Sequence, residues 1–80
     1  MIRLKLFGRE YCSLCVNMRE QLRALAAGRF ELDWIDIDDI DELEARYGEL
    51  VPVLADSNER EICHYHLDVA ALDARLADLG

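Results

Sequence analysis

The stretch that most constrains this chain is Tyr11-Cys12-Ser13-Leu14-Cys15, set between a strand pattern and a helix pattern. Two cysteines separated by two residues bring their sulfurs together on the first turn of a helix. That spacing suits a dithiol that closes to a disulfide, or half of a zinc site. Upstream, Met1 to Phe7 (MIRLKLF) alternates Ile2, Leu4 and Leu6 against Arg3 and Lys5, the period of a strand. Downstream, Leu14, Met18, Leu22 and Leu25 recur at helical spacing. They predict a helix over about 13–27 with Gly28 as its stop. The pair therefore sits where a strand hands over to a helix. Unpaired N–H groups and the positive end of the helix dipole favour a thiolate there, which suits a redox dithiol.

The rest of the chain reads as further short elements without linkers or repeats. Phe30 to Ile37 (FELDWIDI) alternates in a strand period, with Phe30, Leu32 and Trp34 on one face and Ile35 and Ile37 on the other. Two strands with a helix between them form a βαβ unit, which predicts parallel strands and a right-handed connection. Asp39 offers a helix N-cap with Glu42 as its capping-box partner, and this short helix should run through Tyr47 and end at Gly48. Val51 to Ala55 (VPVLA) is a third strand, opened by Pro52, the only proline. Asp56-Ser57-Asn58 is a turn and Arg60 to Tyr65 a fourth strand. Asp68 caps a last helix that carries Val69, Leu72, Leu76 and Leu79 on one stripe. The order is β-α-β-α-β-β-α in a single domain spanning residues 1–80.

Composition narrows the function classes. Eighty residues, 52% of them hydrophobic, make one small core that needs no covalent staples. Three cysteines are an odd number, so a purely structural disulfide framework would leave one over. Seventeen acidic against nine basic residues give a net charge of −8, which argues against nucleic acid and anionic membranes as partners. No apolar run is long enough to span a membrane, and none follows a basic N-terminal stretch, so a cytoplasmic location is expected. In that compartment a CxxC pair is catalytic or metal-binding rather than structural.

Other residues invite sharper readings and lose them. Asp36, Asp38, Asp39, Asp41 and Glu42 lack the central glycine and terminal glutamate of a calcium loop, and fit a strand end and helix cap. Cys63, His64 and His66 could complete a zinc ligand list with Cys12 and Cys15. Cysteine is, however, among the most commonly buried residues, so Cys63 reads as packing, the two histidines as turn or surface residues, and no metal site is expected. Trp34 reads as packing.

The cysteine pair at the head of the first helix, together with Val51-Pro52 at the head of the third strand, resembles the thioredoxin superfamily and its glutaredoxin branch. Arg9 stands three before the first cysteine and Tyr11 directly before it. Asp36-Ile37-Asp38, Tyr47-Gly48 and Val51-Pro52-Val53-Leu54 read like small bacterial glutaredoxin-like proteins. The resemblance covers almost the whole chain. It implies a thioredoxin/glutaredoxin-like α/β fold, a four-stranded mixed sheet flanked by helices. It also implies a cis Val51–Pro52 bond against the dithiol, with Val51 offering backbone groups to an extended substrate. The implied activity is thiol–disulfide exchange in cell redox homeostasis, with Cys12 as nucleophile and Cys15 as resolving thiol. Arg9, Tyr11, Val51, Pro52 and Asp68 form the implied substrate-binding set. The implied partners are protein or small-molecule disulfides, with glutathione or a reductase as electron source. No tightly bound cofactor is expected, glutathione being a candidate co-substrate, and the chain should be a monomer.

Departures from the pattern are specific. Ser13-Leu14 replaces the common Pro-Tyr between the cysteines, and Val51 replaces the usual threonine. His64-Tyr65-His66-Leu67-Asp68 stands where a Gly-Gly pair and acidic residues usually hold the glutathione γ-glutamyl end. Weak glutathione recognition is the expectation that follows. The alternative is a non-catalytic module on the same fold, binding a metal, an iron–sulfur cluster or a partner protein.

Overall fold

In the computed structural model, which describes residues 1–80, the alternation of the first strand organises the fold. The strands are β1 (Ile2–Gly8), β2 (Phe30–Asp36), β3 (Val53–Asp56) and β4 (Glu61–His64). The helices are α1 (Ser13–Ala26), α2 (Asp41–Tyr47) and α3 (Val69–Leu79). The sheet order is β2-β1-β3-β4, with β1 parallel to β2 and the other two pairings antiparallel. This is the mixed four-stranded sheet that the sequence pattern and its resemblance implied.

Successive side chains of a strand point to opposite faces. Leu4 and Leu6 of β1 and Leu54 of β3 therefore share one face, where Met18 and Leu22 of α1 and Leu72 and Leu76 of α3 cover them. Phe7, Val53 and Ala55 face the other way and meet Ile37 and Tyr47. The Phe7 and Tyr47 rings stack with centroids 4.5 Å apart. Within the expected stripe of α3, Leu72 and Leu76 are buried, while Val69 and Leu79 at the two ends of the helix remain exposed.

Several element ends differ from the sequence reading. Ile37 does not close the second strand. It opens a 3-10 turn over Ile37–Asp39 and is fully buried. The Asp36 carboxylate accepts the Asp38 N–H at 2.9 Å and fixes that turn. The following helix consequently starts at Asp41 with Ile40 as its N-cap and no side-chain cap bond, so Asp39 is not the cap. The third strand begins at Val53, one residue after Pro52, and the fourth is confined to Glu61–His64. At the end of α1, Ala27 and Gly28 both take left-handed backbone (φ 32° and 82°), a conformation that glycine adopts at no steric cost.

Asp56, at the end of β3, is buried although charged. Its Oδ1 accepts the N–H groups of Asn58 (2.9 Å) and Arg60 (3.0 Å), and its Oδ2 accepts from Arg75 of α3 at 2.9 Å. Burial works against the charge, but the two backbone donors and the Arg75 guanidinium outweigh it and hold the carboxyl below its ordinary value. The contact ties α3 to the turn between β3 and β4.

Candidate active site

The strand register gathers four segments at one end of the sheet. Phe7 pairs with Val53 and Val53 with His64, so the loop after β1, the Val51–Pro52 step and the residues after β4 lie side by side. The Tyr65 N–H donates to the Pro52 carbonyl at 2.9 Å and carries the β3–β4 pairing one residue further. The loop that follows β4 thus comes to the cysteines' end of the sheet.

Cys12 is the N-cap of α1, with extended backbone, and its Sγ accepts the Cys15 N–H at 3.2 Å. A sulfur thus takes the place of the usual capping oxygen and faces free N–H groups of the helix. Cys12 is half-buried and Cys15 fully buried, and both are free thiols. Burial, followed by the contact with Cys12, pushes the Cys15 thiol up to about 12. The site therefore holds one reachable sulfur at a helix N-terminus and one enclosed, protonated thiol a turn away.

The enclosure of Cys15 depends on Gly8. A Cβ at Gly8 would lie 2.7 Å from the Trp34 ring edge and 3.0 Å from the Cys15 Cβ. The indole and Cys15 therefore close over the same spot of β1, and only glycine leaves room for both. The Arg19 guanidinium lies over the Trp34 ring at 4.6 Å and pairs with Glu10 at 3.0 Å. Trp34 thus packs in the first core and also walls the dithiol.

The residues read as substrate-binding are placed as follows. Arg9 is paired with Asp38 (2.9 Å) and Glu44 (3.1 Å), so two carboxylates already match its charge. Tyr11 is exposed, lies under the Arg9 guanidinium at 5.8 Å, and its hydroxyl donates to Asp38 at 3.4 Å. The Val51–Pro52 peptide is cis and Pro52 is buried. The Val51 N–H donates to the Tyr47 carbonyl at 3.1 Å, and no loop hydrogen bond ends on the Val51 carbonyl. Asp68 caps α3, its Oδ1 accepting the Ala71 N–H at 3.0 Å.

An open groove of about 210 Å³ starts at Leu14, between the cysteines, and runs between α1 (Met18, Gln21) and Tyr65 to Leu67. Tyr65 is the residue that sequence reasoning passed over. Its backbone is left-handed (φ 63°), and its hydroxyl donates to the Glu49 carbonyl at 2.8 Å. The available signal was its position, where the related pattern has glycines. Cys63 packs in the first core with its thiol pushed up by burial, and His64 Nδ1 lies 2.8 Å from Glu61. The zinc ligand list weighed above is not assembled, since no group of three or more His, Cys, Asp or Glu side chains is arranged to hold a metal ion.

A family model described as a glutaredoxin-like domain (DUF836) matches residues 3–77. The chain belongs to this glutaredoxin-like family. Among solved structures, it is similar to a protein from Nitrosomonas europaea determined in solution by NMR, at 39% identity and a TM-score of 0.81 over 92% of this chain and 89% of that one. It is also similar to a structural-genomics target from X. campestris determined by X-ray, at 39% identity and a TM-score of 0.72 over 94% and 96% of the two chains. Trichomonas vaginalis thioredoxin shares the fold at 19% identity and a TM-score of 0.68, over 99% of this chain and 79% of that one. No curated protein matches. Within the glutaredoxin-like frame, the helix-capping cysteine, its buried partner and the Val51–Pro52 step occupy one end of one sheet. No helix is long and apolar enough to cross a membrane.

Proposed function

We propose that this glutaredoxin-like protein is a cytoplasmic thiol–disulfide oxidoreductase acting through Cys12 and Cys15. The observation that carries the reading is the asymmetry of the pair: Cys12 caps α1 and is reachable, while Cys15 is enclosed and held protonated. Thiol–disulfide exchange needs that asymmetry, because the attacking group is a thiolate and the resolving thiol should wait. The Cys12 thiolate attacks one sulfur of a substrate disulfide, forming a mixed disulfide and expelling the other half as a thiolate that takes up a proton. Cys15 then gives up its proton and attacks the Cys12 sulfur. That step closes Cys12–Cys15 and releases the second half as a thiol. The substrate gains two electrons from the pair and two protons, one from Cys15 and one from solvent. Glutathione or a reductase returns the electrons to close the cycle.

Protein or small-molecule disulfides are the substrates of this reading, and the domain works as a monomer without a resident cofactor. Its test is trapping. With Cys15→Ser, a mixed disulfide on Cys12 should accumulate from a disulfide substrate, and the wild-type protein should instead end as Cys12–Cys15. Accumulation on Cys63, or a wild-type protein that never closes the pair, would sink the proposal.

A further inference from the structure

Val51 directly precedes Pro52, whose carbonyl carries the last cross-strand bond at the dithiol end of the sheet, and no loop hydrogen bond ends on the Val51 carbonyl. A free backbone acceptor next to a paired edge is where an extended chain adds by backbone hydrogen bonding. Tyr65 runs along that segment. Its N–H is tied to the Pro52 carbonyl and its hydroxyl to the Glu49 carbonyl, so the side chain spans residues 49–52 and is fixed at both ends. Its left-handed backbone (φ 63°) is one that a large side chain rarely adopts, and the surrounding structure has to hold it there. Tyr65 also forms one wall of the groove that starts at Leu14.

We infer that Tyr65 is a specificity-determining residue: it fences the Val51–Pro52 edge, so that Cys12 reacts with compact disulfides in preference to disulfides carried on an extended peptide such as glutathione. This rests on the proposed exchange at Cys12. The step itself is the first half of that exchange, in which the Cys12 thiolate forms one S–S bond, the substrate S–S bond breaks, and the leaving thiolate takes up a proton. A compact disulfide needs only the sulfur. A peptide disulfide gains from donating an N–H to the Val51 carbonyl, and the Tyr65 side chain stands along that approach.

The test is a ratio of stoichiometric rates in the Cys15→Ser background, which needs no turnover and no reductase. Formation of the Cys12 mixed disulfide is followed by mass spectrometry with glutathione disulfide and with bis(2-hydroxyethyl) disulfide. Tyr65→Gly is expected to raise the glutathione-to-hydroxyethyl rate ratio by roughly fivefold, the worth of about one backbone hydrogen bond. The substitution leaves charge unchanged, so repulsion of the anionic glutathione cancels when variant and parent are compared. Glycine accepts the left-handed backbone, and Tyr65→Asn, which also tolerates it but cannot reach Glu49, is the second variant should the first not fold. A ratio that stays within twofold of the parent in a folded variant overturns the inference. Failure of the oxidoreductase reading would show separately, as a wild-type protein that forms the mixed disulfide but never closes Cys12–Cys15.

Discussion

Raising the pH should destabilise the reduced protein more than the oxidised one, and the difference can be worked from Cys15. Its thiol is shifted from an ordinary value of 9.0 up to about 12, first by burial and then by its contact with Cys12. Between those values the unfolded chain loses the Cys15 proton while the folded protein keeps it. Stability from this group is therefore complete below about pH 9 and is lost as pH rises toward 12. Between those values the slope is at most about 1.4 kcal/mol per pH unit, the limit set by one proton. In the oxidised protein neither Cys12 nor Cys15 carries a titratable proton, and the Cys12→Ser protein isolates the part due to Cys15. Cys63, the tyrosines and the lysine are the same in both forms, so subtracting the two curves cancels them. Urea unfolding followed by far-UV circular dichroism, from pH 8 to pH 11 with and without reductant, measures the difference directly. A Cys12→Ser protein should keep most of the alkaline loss, because burial is the larger cause. If reduced and oxidised proteins lose stability in parallel above pH 9, Cys15 is not the enclosed thiol described here, and its role as the waiting partner fails with it.

Three further outcomes follow from particular contacts. Asp56→Ala strands two backbone N–H groups and Arg75, and should cost about 2–3 kcal/mol, or some 10–20 °C in Tm. Because the Asp56 carboxyl is held below its ordinary value, the wild-type advantage over this variant should persist above about pH 4 and fade as pH falls further; an advantage that grows on acidification would contradict the assignment. Gly8→Ala forces Trp34 and Cys15 apart, so a loss of about 1–3 kcal/mol should come with a shift in the emission of the single tryptophan; unchanged emission would place Trp34 elsewhere. Glutathione-coupled turnover should be poor beside a general dithiol assay, and Asp68→Gly should raise it, since the Asp68 carboxylate occupies the Ala71 N–H and repels an incoming anion; coupled turnover equal to the general assay and unmoved by Asp68→Gly would refute that.

Local rules were enough for what depends on a residue and its near neighbours. The period of two in Ile2-Leu4-Leu6 and in Phe30-Leu32-Trp34, and the helical recurrence of Met18 and Leu22, each encode a buried face before any partner is known. The cap at Asp68 and the stop near Gly28 are likewise set by chemistry within one turn of chain. So is the placement of Cys12 on the first turn of a helix. Tertiary structure decided what depends on residues far apart in sequence. Asp39 had the right side chain for a cap, yet burying Ile37 against Phe7 and Tyr47 drew the chain into a 3-10 turn and moved the helix start to Asp41. Arg9 reads as an uncommitted substrate contact until Asp38 and Glu44 are brought to it from the segment after β2 and from α2. Tyr65 shows in sequence only by standing where the related pattern has glycines, and its left-handed backbone, disfavoured locally, is held by hydrogen bonds to Pro52 and Glu49. Periodicity fixes which face of an element is apolar, but which charges and carbonyls meet beside the dithiol is settled only when β1, β3 and β4 pair in register.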